Sequence, residues 1–198
     1  MGSNPDRSNG YEEVASVFIA GRGSGKGVGV GASVVAEWAS TLLPGATVLD
    51  LGCGTGDPIT RIFIEGGFKV YGVDASPSMV AVFQARFPSV PVQCAAAEDS
   101  DFFGLSFDVV VSWGLFFLLE AEIQRNLIAK VAGALRQGGK FLFTAPRQRC
   151  SWRDGMTERI SVSLGHEVYQ RELQAHGMTL VGTEADEGDN YYYFAQRT

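Results

Sequence analysis

The residues of this chain whose types and spacing suit chemistry gather first at Val48 to Pro58, VLDLGCGTGDP. Val48, Leu49 and Leu51, interrupted only by Asp50, make the short apolar run that a strand buried on both faces requires, and the run stops at Gly52. Gly52, Gly54 and Gly56 then remove every Cβ from one side of the turn. A bare backbone of this kind can lie directly against a bound molecule and can take the positive φ angles that other residues avoid. Asp57 and Pro58 follow, an acidic residue and one pre-set for the first turn of a helix, so the stretch reads strand, bare loop, helix start. Such a unit is a ligand site of nucleotide type.

Spacing decides which nucleotide. A dinucleotide fingerprint needs a glycine at 57, where the pyrophosphate meets the helix, and this chain has Asp57, whose charge repels a phosphate. No Gly-Lys-Ser or Gly-Lys-Thr follows, which excludes a Walker loop. The pattern Asp50, Gly52, Gly54, Gly56 instead resembles the first motif of the class I S-adenosylmethionine-dependent methyltransferases, of the small-molecule type. Downstream, the strand-like run Lys69 to Val73 ends at Asp74, followed by Ala75, Ser76 and Pro77. An acidic side chain at a strand tip can accept two charge-assisted hydrogen bonds from ribose hydroxyls. Ser76 before Pro77 is the better helix N-cap, which leaves Asp74 to the ligand.

The resemblance implies S-adenosyl-L-methionine as cofactor, with S-adenosyl-L-homocysteine as product, held by Asp50, Gly52, Cys53, Gly54, Asp74 and Ala75. Many small methyltransferases fold an N-terminal segment over the cofactor and offer its carboxylate a Tyr or an Arg, and Tyr11 and Arg22 match that pattern in position. After the third strand the family often reads Gly-Asp-Ala-Glu, with the Asp on the adenine amino group; Ala96 stands in its place here. Either Glu98 or Asp99 substitutes, or the backbone of Ala97 and Glu98 holds the ring with Met79 against its face. FDVVVSWGLFFLL, Phe107 to Leu119, resembles the fourth-strand motif and puts Ser112 and Trp113 beside the transferred methyl, with Trp113 as a pocket wall. The Asn/Asp-Pro-Pro-Tyr/Phe motif of amino-group methyltransferases acting on adenine, cytosine or glutamine is missing there. LRQGGKFLFTAP, Leu135 to Pro146, resembles the approach to the fifth strand, with Gln137 where Pro is usual.

Methyl transfer from a sulfonium is an in-line displacement with a neutral leaving group, so alignment and exclusion of water are the main demands. A general base is needed only for a poorly nucleophilic acceptor. Candidates are His166, Tyr191, Glu184 and Asp186. Two further readings stay open: a SAM-binding protein without catalysis, and a nicotinamide-dependent oxidoreductase, which Asp57 disfavours.

The elements that must position these residues alternate strand and helix. Strands are predicted near 46–51, 68–73, 90–95, 107–112 and 139–145, and helices near 32–43, 58–66, 77–87, 98–103 and 120–136. Residues 147–165 break the alternation, a helix resumes over 166–176, and 178–185 with 191–196 form a hairpin around DEGDN. The fold class is therefore α/β: a Rossmann-like, doubly wound seven-stranded sheet, mostly parallel with an antiparallel last strand, and helices on both faces. The resemblance implies a methyltransferase domain over residues 32–198, with a substrate-covering insertion at about 147–167. Before it, 1–10 is polar and reads as disordered or vector-derived, 11–20 as a short amphipathic segment, and the glycines at every second position from 21 to 31 as a flap or linker.

Composition limits the partners. The 198 residues suffice for one domain, with 45% hydrophobic residues and a formal net charge of −6. Without a dense Lys/Arg cluster or an apolar run near ~20 residues, neither nucleic acid nor membrane is expected. Three widely spaced cysteines with two histidines give no metal-ligand spacing and suit reduced thiols in the cytoplasm. The expected partner is a small-molecule acceptor, and the chain is expected as a monomer or homodimer.

Overall fold

The computed structural model describes residues 6–23 and 31–198, the side chains of 22 and 23 excepted. The glycine-rich stretch between 24 and 30 and the side chain of Arg22 lie outside the described residues.

Strands β1 (Thr47–Leu51), β2 (Lys69–Asp74), β3 (Val92–Cys94), β4 (Phe107–Ser112) and β5 (Leu135–Thr144) pair in parallel. Strands β6 (Cys150–Arg153) and β7 (Ile160–Ser163) form a separate antiparallel pair. Strands β8 (Met178–Ala185) and β9 (Tyr191–Arg197) make the final hairpin, with β9 inserted antiparallel against β5. The seven-stranded order is β3-β2-β1-β4-β5-β9-β8. The expected sheet is thus the one observed, and the strand order reverses between β1 and β4, where open α/β sheets bind ligands at the carboxyl ends of their strands.

Strand alternation sorts the core between two faces. Leu49, Leu51, Val110, Phe141 and Phe143 pack with α5 (Ala121–Ala134) and α6 (His166–Ala175). Val48, Val109, Val111 and Leu142 pack on the other face with α2 (Ala32–Ser40) and α3 (Ile59–Glu65). Helix α4 (Pro77–Arg86) starts at Ser76, whose hydroxyl accepts from the Met79 N–H, the cap role that the sequence assigns to it. The first helix, α1 (Ala15–Gly23), covers only the second half of the segment read as amphipathic.

Three details depart from expectation. The helix predicted at 98–103 is a turn followed by a 3₁₀ turn at Phe102–Gly104, because Ser100 and Asp101 side chains accept the N–H groups of Phe102 and Phe103 and compete with helix formation. Strand β5 starts at Leu135 rather than 139, paired with Phe107 across a bulge where Gly138 takes φ +74°. Pro58 is the N-cap of α3 rather than its first helical residue.

Candidate cofactor and acceptor pocket

A cavity of about 250 Å³ opens over the carboxyl ends of β3, β2, β1 and β4. Its floor is the bare loop after β1. Gly52 and Gly56 have φ +74° and +82°, and a Cβ at either would lie 2.9 Å from Leu115 or 2.4 Å from Phe87. Gly54 instead faces open space with φ +52°, so its backbone is what a ligand meets. Asp57 is turned away from phosphate chemistry by two cations: both Arg61 and Arg86 bind its carboxylate, Arg86 Nη1 at 2.8 Å from Oδ2.

Asp74 holds this loop and keeps capacity for a ligand. Its Oδ2 accepts the Gly54 N–H at 2.8 Å and its Oδ1 the Ser76 N–H at 2.8 Å. Each carboxylate oxygen has a further lone pair, and Asp74 lines the cavity. Burial raises its carboxyl above the ordinary value, against the pull of those two N–H bonds. Asp50, 1% exposed, accepts the Thr60 hydroxyl at 2.6 Å and also borders the cavity. Burial pushes its carboxyl up to about 7.

Next to Asp74, the loop after β3 brings Ala95 to Glu98 to the cavity. Lys130 of α5 donates to the carbonyls of Ala97 (3.0 Å) and Glu98 (2.8 Å) from behind, while sitting 4.5 Å above the Phe102 ring. A trans peptide sets N–H opposite C=O, so pulling the Ala97 carbonyl toward Lys130 turns the Glu98 N–H the other way. Glu98 Oε1 binds Arg7 at 2.8 Å, whereas its Oε2 is buried with no partner. Ala96 leaves no side-chain acceptor at its own position, and Met79 lines the cavity.

The N-terminal segment closes the top. Tyr11 lines the cavity, with its hydroxyl 3.4 Å from Asp154 of the insertion. Glu12 accepts from the Ser76 hydroxyl and from the Ser78 N–H (3.1 Å) and hydroxyl (2.7 Å) at the start of α4. Burial would raise the Glu12 carboxyl, but these bonds hold it below its usual value. Arg159 pairs with Asp6 and Glu13 at 3.0 and 3.1 Å. Residues 6–10, read from sequence as disordered, are therefore fastened to both sides of the cavity.

At the far end stand Phe18, Trp113, Phe117 and Asn190. Trp113 lines this end, and its Nε1 donates to Tyr192 Oη at 3.1 Å. Phe117 is backed by Trp152 of the insertion at 5.6 Å between ring centroids.

The sequence-derived candidates divide accordingly. Tyr11, Asp50, Gly52, Cys53, Gly54, Asp74, Ala75, Met79, Ala97, Glu98 and Trp113 all border this cavity. Ser112 does not: it is fully buried beneath the wall. The base candidates His166 and Tyr191 are also outside the lining; His166 stacks on Tyr193 at 5.8 Å and meets Tyr191 edge-on at 6.5 Å, with its Nδ1 buried and unpartnered. Glu184 and Asp186 are not among the lining residues either. Sequence reasoning missed Arg7, Phe18, Phe117 and Lys130, whereas the turn Asp186 to Asn190 was read either as overhanging the acceptor pocket or as plain turn geometry, and Asn190 lines the cavity. Arg7 and Lys130 act through contacts distant in sequence, which no local motif marks.

Residues 48–139 match the methyltransferase domain family. The fold is that of solved methyltransferases. An amino pentose methyltransferase of Micromonospora echinaspora, crystallised with SAM, superposes with a TM-score of 0.73 at 20% identity, over 92% of this chain and 97% of that one. A Burkholderia thailandensis 1,6-didemethyltoxoflavin N1-methyltransferase, bound to its acceptor and S-adenosylhomocysteine, gives 0.72 at 21% identity over 100% and 93%. An uncharacterised methyltransferase of Mycobacterium bovis is 31% identical over 154 residues, 76% of this chain and 61% of that protein. The chain spans 40% of a putative Geobacillus methyltransferase that it matches at 35% identity, covering 48% of this chain. The matched segment 48–139 holds the bare loop, Asp74, the loop after β3 and Trp113.

Proposed function

We propose that this chain is a methyltransferase that moves the methyl group of S-adenosylmethionine to a small-molecule acceptor. The observation that carries the reading is the sequence of fittings along one cavity. Glu98 and its backbone stand at the tip of β3, Asp74 at β2, the bare loop at β1 and the Trp113 wall at β4. Three strand spacings span about 14 Å, room for a base, a ribose, a sulfonium and then an acceptor in that order. Ribose hydroxyls bind the spare lone pairs of Asp74. The adenine amino group donates to the orphaned Oε2 of Glu98, in place of the side chain missing at Ala96. Tyr11 reaches the cofactor carboxylate from above.

In the reaction a lone pair on the acceptor forms the new bond to the methyl carbon as the carbon–sulfur bond breaks. That bond's electron pair stays on sulfur, leaving a neutral thioether, and the acceptor's proton passes to water. The residues here align the two reactants and keep water out. The acceptors in the structural relatives' names, an amino pentose and 1,6-didemethyltoxoflavin, support a small-molecule substrate. The net charge of −6 weighs against nucleic acid. Among the described residues, no helix is long and apolar enough to cross a membrane and no group of His, Cys, Asp and Glu could hold a metal ion. Free Cys53, Cys94 and Cys150 support a cytoplasmic setting. Incubation with methyl-labelled SAM and a metabolite extract tests the reading. Label in a small molecule is the expected result; cofactor binding without any transfer would make the chain a binding protein.

A further inference from the structure

The turn joining β8 to β9 is organised around one carboxylate. Asp186 Oδ1 accepts the N–H groups of Gly188 (2.8 Å) and Asn190 (2.9 Å). Its Oδ2 accepts the Tyr192 hydroxyl at 2.8 Å and the side-chain Nδ2 of Asn190 at 2.8 Å. Tyr192 in turn accepts from Trp113 Nε1, and the start of α2 packs against the group so closely that a Cβ on Gly31 would sit 2.3 Å from Tyr192 Oη. The two cavity-lining residues Trp113 and Asn190 are thus the ends of one hydrogen-bonded chain, with the anion behind them.

This arrangement fixes what Asn190 offers a ligand. A carboxylate accepts only, so the amide must turn its nitrogen toward Asp186, and the Oδ1 is left as the acceptor. Resting on the methyltransferase reading, we propose that Asn190 holds the methyl acceptor through that Oδ1. The acceptor is then a planar, ring-containing compound with an N–H or O–H beside the methylated atom, lying against Trp113. Asp186 is the positioning residue that sets the amide's direction. The walls Phe18, Trp113 and Phe117 suit a flat ring, and a ring that displaces water from Asn190 without offering a donor would orphan the amide oxygen. When a nitrogen acceptor gains positive charge during transfer, the negative end of the amide dipole and the Asp186 anion both face the side on which that charge develops.

The test needs no knowledge of the natural acceptor. Protein saturated with S-adenosylhomocysteine is titrated with paired probes: indole against 1-methylindole, and 2-naphthol against 2-methoxynaphthalene. Wild type should prefer the donor-bearing member of each pair by about tenfold, the scale of one satisfied against one orphaned acceptor. Asn190→Ala should reduce the preference to about twofold or less. Asp186→Asn should do the same, because an amide partner no longer dictates which way Asn190 faces, with S-adenosylhomocysteine affinity unchanged in both variants. An unaltered preference in both variants, no preference in wild type, or binding of no probe would overturn the assignment while leaving cofactor binding intact. Failure of S-adenosylhomocysteine itself to bind would instead remove the reading beneath it.

Discussion

Replacing Asp74 with alanine removes the one side chain that both ties the bare loop and meets the ribose. In the ligand-free protein its two oxygens are each 2.8 Å from a backbone N–H, of Gly54 and of Ser76, so they are already aligned before a sugar arrives. Net hydrogen bonds to a charged group contribute about 1.5–3 kcal/mol. Because the buried carboxylate has already lost solvation, we assign that range to the ribose pair together, a roughly ten- to 150-fold rise in Kd. Titration calorimetry with S-adenosylhomocysteine measures the change. Asp74→Asn should not rescue, since Gly54 and Ser76 meet different carboxylate oxygens and the amide nitrogen would face one of those N–H groups. Loop disorder is separated from lost sugar contacts by the 2′-deoxy analogue: it should bind wild type more weakly than the parent ligand, yet bind Asp74→Ala equally well. Unchanged affinity in Asp74→Ala, or a 2′-deoxy penalty that survives the substitution, would refute the ribose role.

Asp50 should make cofactor binding release protons. With its carboxyl near 7 when folded and 3.8 when unfolded, the apo protein loses stability as pH rises through that window, by up to about 1.4 kcal/mol per unit. A cationic ligand favours the ionised form, so calorimetry near pH 6.5 in buffers of different ionisation enthalpy should show proton release, absent in Asp50→Asn. That variant should also gain stability over wild type as pH rises; parallel pH–stability curves would contradict the assignment. Gly31→Ala should cost about 2–4 kcal/mol in urea denaturation, because φ there is +83° and the new Cβ meets Tyr192 Oη at 2.3 Å; a loss under about 0.5 kcal/mol would show that this contact yields. Lys130→Met should weaken S-adenosylhomocysteine about three- to tenfold by freeing the Ala97 and Glu98 carbonyls. Unchanged affinity would make the lysine a surface clamp.

The sheet was legible because its strands are short apolar runs separated by turn residues, and the cofactor floor because glycine spacing has local meaning. The loop after β3 was partly legible: absence of an acidic side chain at Ala96 was visible, but the orphaned Oε2 of Glu98 depends on Arg7, 91 residues away. Residues 6–10 looked disordered from their polar composition; local bonds from Ser8 and Gly10 to Asp6 shape the turn, and the partners that fasten it, Glu98, Asp99 and Arg159, are far off in sequence. His166 was a base candidate from its place where the insertion meets the helix and Tyr191 from its place beside the final turn, but strand alternation directs Tyr191 and Tyr193 to the α6 face and Tyr192 to the opposite one. Asn190 looked like turn geometry, which it is; its second use needs Asp186 and Trp113 together.

The most direct measurement is titration of the intact protein with S-adenosylhomocysteine and, separately, with NAD. One site saturating with S-adenosylhomocysteine and no heat with NAD is the result expected of a bare loop at β1 flanked by Asp74 and backed by Asp57. Heat with NAD alone, or with neither compound, would contradict it.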